Sequence, residues 1–136
     1  MRKINILLIG GSGFIGSNIL NIKNKKFSIY SDKSHFKLKK NNLKFKLRNT
    51  NKILNIILKY NINVILHLAS KIYPYSKMSD YKNETKNVIK PTIELLKRLN
   101  KNLTFIFVSS GGTVYGNRRY ATERDKLKVT NYLSKS

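Results

Sequence analysis

Ile4-Asn5-Ile6-Leu7-Leu8-Ile9-Gly10-Gly11-Ser12-Gly13-Phe14-Ile15-Gly16-Ser17 is the stretch whose reading organises everything around it. Ile4 to Ile9 is short, apolar and rich in β-branched side chains, which suits a buried strand. Gly10-Gly11-Ser12-Gly13 reads as a turn, and Phe14 to Lys23 as a helix, with Phe14, Ile15, Ile19 and Ile22 at helical spacing. In that context the glycines at 10, 13 and 16 have separate tasks. The first permits the tight turn, the second lets backbone approach a pyrophosphate, and the third lets the helix pack closely on the strand. The helix N-terminus favours the phosphate charge.

Outward from this turn the pattern alternates. Phe27-Ser28-Ile29-Tyr30 predicts a second strand, and Leu43, Phe45 and Leu47 a third, with a polar, basic loop from Ser31 to Asn42 between them. Ile53, Ile56, Ile57 and Tyr60 form a helical stripe, and Val64 to Leu68 predicts a fourth strand. A long helix is expected from about Ser79 to Leu99. Val88, Thr92, Leu95, Leu96 and Leu99 mark its buried face, and Pro91 predicts a break or kink inside it. Leu103 to Val108 predicts a fifth strand, and a last helix is expected from near Val129. Such alternation implies an α/β fold, a doubly wound, mostly parallel sheet with helices on both faces. No internal repeat or linker divides it.

The 136 residues suffice for one domain and one core. With 40% hydrophobic residues, 8 Tyr and 6 Phe, the chain is not a disordered tail. It has no Cys, which excludes disulfides, thiolate metal sites and a Cys nucleophile. His35 and His67 lack ligand spacing, so no metal site is expected. No apolar run reaches the length of a membrane span, and Met1-Arg2-Lys3 leads straight into the first strand, not into a signal peptide. A cytoplasmic protein without membrane contact is expected. Lys+Arg at 28 against Asp+Glu at 6 gives +22, a balance that ordinarily suggests nucleic acid. The lysines are scattered, however, and are densest only from Lys23 to Lys46. Lys, Asn and Ile also share AT-rich codons, so the excess is read as compositional bias.

Ile9-Gly10-Gly11-Ser12-Gly13-Phe14-Ile15-Gly16-Ser17 resembles the opening of the extended short-chain dehydrogenase/reductases. Within them it is most similar to the NAD-dependent epimerase/dehydratase group, which includes UDP-glucose 4-epimerase. Val64-Ile65-Leu66-His67-Leu68-Ala69-Ser70 resembles the family's fourth strand, and Asn87-Val88-x-x-x-Thr92 its Asn-Val segment in the next helix. Phe107-Val108-Ser109-Ser110-Gly111-Gly112-Thr113-Val114-Tyr115-Gly116 resembles its fifth strand and active-site turn. The resemblance implies a Rossmann-type sheet of strand order 3-2-1-4-5, with the cofactor across the switch point between strands 1 and 4. It covers nearly the whole chain but only the front of a family member. Residues 1–136 are therefore expected to be an incomplete NAD(P)-binding domain without the carboxyl-terminal substrate domain, and an inactive fragment when alone.

The cofactor implied is NAD, held at the turn by Gly10, Gly13, Phe14, Ile15 and Gly16. Leu47 would pack on the adenine. Leu68, Ala69 and Ser70 would line the ribose–nicotinamide end, with Ser109 from the fifth-strand motif, and Asn87 would hold that loop or the cofactor through its amide. Asp32 can accept both ribose hydroxyls of NAD and would repel the 2′-phosphate of NADP. Counting alternation from Phe27 instead puts Ser31 at the strand tip with Lys33 beyond, so NADP stays open. Where Lys46 stands the family often carries Asp. His67 is expected to be a structural histidine hydrogen-bonded to nearby backbone.

The chemistry implied is hydride transfer between cofactor and the sugar ring of a nucleotide-sugar substrate, in surface polysaccharide precursor synthesis. A Tyr takes a proton from a sugar hydroxyl, a Lys lowers that Tyr's pKa, and a Ser or Thr shares the hydrogen bond. Tyr132, Lys135, Ser110 and Thr113 are the candidates. They depart from the family's Tyr-x-x-x-Lys: four residues after Tyr132 is Ser136, and four before Lys135 is Asn131. Gly111 stands four before Tyr115, where a hydroxyl is usual. Tyr132 thus has two open readings, catalytic or degraded. The resemblance also implies a homodimer for the full-length protein. A non-catalytic dinucleotide- or polyanion-binding module is the alternative, and polyanion binding would weaken steeply with salt.

Overall fold

A computed structural model describes residues 3–22, 26–32, 42–43, 45–116 and 118–135. At its centre is β1 (Ile4–Ile9), flanked by β2 (Phe27–Asp32) and β4 (Val64–His67). β3 (Asn42–Leu43) and β5 (Thr104–Phe107) are the outer strands of a five-stranded sheet of order β3-β2-β1-β4-β5. Every pairing is parallel, with Leu7 opposite both Tyr30 and Ile65. This is the doubly wound order expected. Leu7, Leu8 and Ile9 are buried in succession, so β1 reads as an apolar run without alternation because both of its faces are covered. Each fully buried Leu or Ile contributes on the order of 1.5–3 kcal/mol relative to exposure.

The helices are α1 (Phe14–Leu20), α2 (Thr50–Lys59), α3 (Met78–Glu84), α4 (Lys90–Arg98) and two short ones, α5 (Gly111–Val114) and α6 (Tyr132–Lys135). On one face of the sheet, Ile53 and Ile56 of α2 and Leu95 of α4 close over Leu7, Ile9, Ile62 and Ile65. Asn49 starts α2, its Oδ1 accepting the Lys52 N–H at 3.0 Å. No helix among the described residues is long and apolar enough to cross a membrane.

Several expectations need correction. α1 ends at Leu20 and buries Gly16 and Leu20, while Phe14, Ile15 and Ile22 are exposed. The cause is Gly16, which must face the turn and so sets the rotation of the helix. Among the described residues the third strand is Asn42–Leu43, and Phe45 and Leu47 lie outside it, where a turn closed by the Asn49 N–H on the Lys46 carbonyl leads the chain into α2. The long helix runs without a gap from Met78 to Arg98, close to the bounds expected, and the irregularity expected at Pro91 is a π turn over Thr85–Ile89. An α-helix there would drive the proline ring into the carbonyl four residues back, and widening the turn avoids this. Thr92 and Leu95 are buried as expected, but Leu96 is exposed. Asp32, not Ser31, ends β2, and Ser31 is buried against Gly11. Lys33, His35 and Ser136 lie outside the described residues.

Candidate functional site

Gly10 leaves β1 with φ +92°, a conformation natural only to glycine. A Cβ on it would lie 2.7 Å from the Ala69 amide nitrogen, so the chain after β4 packs directly on the turn. A Cβ on Gly16 would meet the Gly10 carbonyl oxygen at 2.5 Å and the Gly11 Cα at 2.7 Å. Gly13 differs. A Cβ there would touch only the Gly10 oxygen, at 3.4 Å, and would otherwise project into open space. Gly13 is also the N-cap of α1 and supplies no side-chain cap for the first N–H groups of the helix. Phe14 and Ile15, exposed beside it, flank the opening.

Leu68 continues the β4 ladder through its N–H to the Ile9 carbonyl at 2.8 Å. Leu68 and Ala69 are half-buried beside Gly10. The Ser70 hydroxyl accepts the Ile72 N–H at 3.2 Å, an internal brace of the loop. Asn87, expected to hold this loop or the cofactor through its amide, donates through Nδ2 to the Asn83 carbonyl at 2.8 Å and lines a cleft beside the loop. Glu84, which the sequence reading missed, reaches this loop from α3. Its carboxylate accepts the Lys71 N–H at 3.2 and 3.3 Å.

A cleft of ≈ 1030 Å³ opens beyond the ends of β3 and β4. Phe45 and Leu47 give it an apolar wall, Lys46, Arg48 and Lys71 a cationic rim, and Glu84 and Asn87 part of its far side. Leu47 is thus in position to cover a flat ring. His67 ends β4 fully buried between the rings of Phe105 and Phe107. Its Nε2 shares a 2.9 Å hydrogen bond with the Thr92 hydroxyl. Burial lowers its pKa from 6.5 to about 4, so the ring is neutral at pH 7. Its Nδ1 is the buried side-chain polar atom left without a partner among the described residues.

Ser109 and Ser110 follow β5, and Ser110 is the N-cap of α5 without bonding through its hydroxyl to that helix. The Thr113 hydroxyl donates to the Ser110 carbonyl at 3.1 Å, and Gly111 opens α5. α5 and α6 pack together. Asn131 caps α6, its Oδ1 accepting the Ser134 N–H at 2.9 Å. The Ser134 hydroxyl accepts the Asn131 N–H at 3.1 Å in return. The residue four before Lys135 therefore starts the helix, and Tyr132 is the first residue inside it. Tyr132 stacks on Tyr81 of α3, with centroids 5.3 Å apart, and the Lys135 ammonium lies 5.3 Å from the same ring. Tyr132 and Lys135 do share a helix face, but that face is set on Tyr81. Sequence reading also missed a basic hollow of ≈ 390 Å³ among Tyr115, Arg118, Lys126 and Lys128, because these cations are dispersed along the chain.

The sequence profile of the NAD dependent epimerase/dehydratase family matches residues 6–134. The dTDP-4-dehydro-6-deoxyglucose reductase of Escherichia coli is 26% identical over 130 residues, covering 85% of this chain and 41% of that protein. The UDP-glucose 4-epimerase of Thermotoga maritima superposes with a TM-score of 0.78 at 23% identity, covering 97% of this chain and 47% of that one. The dTDP-glucose 4,6-dehydratase of Bacillus anthracis, solved in complex with NAD, superposes with a TM-score of 0.70 at 22% identity, covering 97% and 46%. At such identities the structural likeness shows the fold. The chain spans less than half the length of these relatives.

Proposed function

The chain belongs to the NAD-dependent epimerase/dehydratase family, and from that premise we propose that its 136 residues form the dinucleotide-binding unit of a cytoplasmic nucleotide-sugar epimerase or dehydratase serving surface polysaccharide precursor synthesis. The observation that carries this reading is the open space in front of Gly13, closed behind by Gly10 and Gly16. The atom nearest a Gly13 Cβ is a backbone oxygen, that of Gly10, and the lack of a side chain at that position is what a pyrophosphate needs for close approach.

In this reading Gly10 and Gly13 hold the pyrophosphate, Phe14 and Ile15 cover it, and Gly16 keeps α1 seated on the turn. Leu47 packs on the adenine, and Asp32 at the end of β2 accepts ribose hydroxyls, which favours NAD over NADP. Leu68, Ala69 and Ser109 border the nicotinamide end. NAD, when bound, supplies the hydride acceptor. Tyr132 with Lys135, and Ser110 or Thr113 as the hydroxyl, occupy the family's proton-transfer position. Tyr132 stacks on Tyr81, however, and the Thr113 hydroxyl is taken by the Ser110 carbonyl, so the reading is of cofactor binding without turnover by these residues. Calorimetric titration of the folded chain with NAD and NADP tests the reading. Saturable binding with NAD preferred is expected, and heat of dilution alone for both would refute it.

A further inference from the structure

Glu84 closes α3 and is only 3% exposed. Among the described residues no cation pairs with it. Burying a carboxylate is costly unless hydrogen bonds replace water, and here both oxygens turn to one backbone group, the Lys71 N–H, at 3.2 and 3.3 Å. Lys71 follows Ala69 by two residues, and it is the Ala69 amide nitrogen that a Cβ on Gly10 would approach to 2.7 Å. Other amides of this loop are braced locally. The Ile72 N–H goes to the Ser70 hydroxyl and the Tyr73 N–H to the Ser76 hydroxyl, at 3.2 and 2.9 Å. The Glu84 bond ties the loop to a separate helix, 13 residues along the chain. Packing alone would be served by an apolar side chain of similar volume, and among the described residues the group that uses the carboxylate is the Lys71 amide.

We infer that Glu84 is a positioning residue for the dinucleotide site: by holding the Lys71 amide it fixes Leu68, Ala69 and Ser70 against the Gly10 turn. The inference rests on the reading that this turn binds a dinucleotide. Leu68 and Ala69 border the cofactor in that reading, so releasing Lys71 lets the border drift while the sheet stays intact. Glu84 thus performs a loop-holding task, which the family resemblance implies for Asn87 as one of two roles.

The test measures amide exchange by NMR, thermal stability and NAD affinity for the unmodified chain, Glu84→Leu and Glu84→Gln. Glu84→Leu keeps the volume and removes the acceptor. It is expected to keep its melting temperature, to free the Lys71 amide for exchange, to shift the Ala69 and Gly10 resonances, and to weaken NAD binding roughly tenfold. Glu84→Gln keeps an acceptor oxygen without the charge. NAD affinity should stay within about threefold while Lys71 exchange speeds up several-fold, since charge-assisted bonds are about twice as strong as neutral ones. Unchanged Lys71 exchange in either folded variant overturns the inference. So does a Lys71 amide that already exchanges freely in the unmodified chain, or a loss of affinity that merely tracks loss of folded protein. If the unmodified chain binds no dinucleotide, the cofactor reading fails, while the Lys71 amide still decides whether Glu84 holds the loop.

Discussion

The Thr92 hydroxyl lies 2.9 Å from the Nε2 of His67, joining α4 to the end of β4 inside the core. The imidazole is buried and neutral, with its pKa lowered from 6.5 to about 4. The unfolded chain therefore takes up a proton near pH 6.5 that the folded chain refuses until about pH 4. Stability from this group is complete above the upper value and is lost as pH falls through the window between the two. The total loss amounts to about 3 kcal/mol. Melting curves between pH 7 and pH 4 should show this decline, and His67→Gln should flatten it. A wild-type slope unaltered by that substitution would assign the pH dependence to other groups.

The three motif glycines should separate by experiment. Gly13→Val places its side chain where only the Gly10 oxygen is near. It should leave the melting temperature almost unchanged and abolish NAD binding. Gly16→Val drives a side chain into the Gly10 and Gly11 backbone. It should cost roughly 1–3 kcal/mol or more of stability, because backbone cannot yield as a flexible side chain does. Equal NAD affinity in folded Gly13→Val would move the pyrophosphate away from this turn.

Sequence pattern conveyed the sheet because parallel strands buried on both faces announce themselves as apolar runs, as in Ile6 to Ile9 and Val64 to Leu66. It conveyed the turn because Gly10, Gly13 and Gly16 lie between a strand and a helix. It did not convey the rotation of α1, since apolar Phe14 and Ile15 lie in the open while the buried face is set by Gly16, a residue with no side chain to betray it. Nor did it convey Glu84. A charged residue at a helix end reads as solvent-facing until the loop from Leu68 to Tyr73 is folded over it. Nor did it convey the π turn over Thr85–Ile89 that widens the helix ahead of Pro91. Long-range hydrogen bonds and changes of helical period are tertiary properties, and a local pattern carries neither.

Cofactor choice should depend on Asp32, the last residue of β2 and the register partner of Leu43. Replacing Asp32 with Ala removes a charged acceptor for ribose hydroxyls and a repulsion against a 2′-phosphate. The ratio of NAD to NADP affinity should fall roughly tenfold, most of it through weaker NAD binding. A ratio that does not move would transfer the preference to the cations Lys46 and Arg48 on the rim of the neighbouring cleft.

The 136 residues should bind cofactor without turning over a sugar nucleotide. Proton transfer in the proposed chemistry needs a phenol supported by an ammonium and a hydroxyl. Tyr132 instead stacks on Tyr81, and Lys135 lies over that same ring at 5.3 Å. The Thr113 hydroxyl already donates to the Ser110 carbonyl, and Gly111 brings no hydroxyl of its own. A general acid–base group is worth roughly 100- to 10,000-fold in rate, and misplacement of a reacting group by about 1 Å can cost about 100-fold. These losses compound. Incubation of the pure chain with NAD and UDP-, GDP- and dTDP-sugars should therefore yield neither epimer nor keto-sugar above background, and Tyr81→Ala should loosen α6 without creating activity. Turnover that Tyr132→Phe abolishes would reverse this conclusion and show that the pair at 132 and 135 is a working acid–base site despite its spacing.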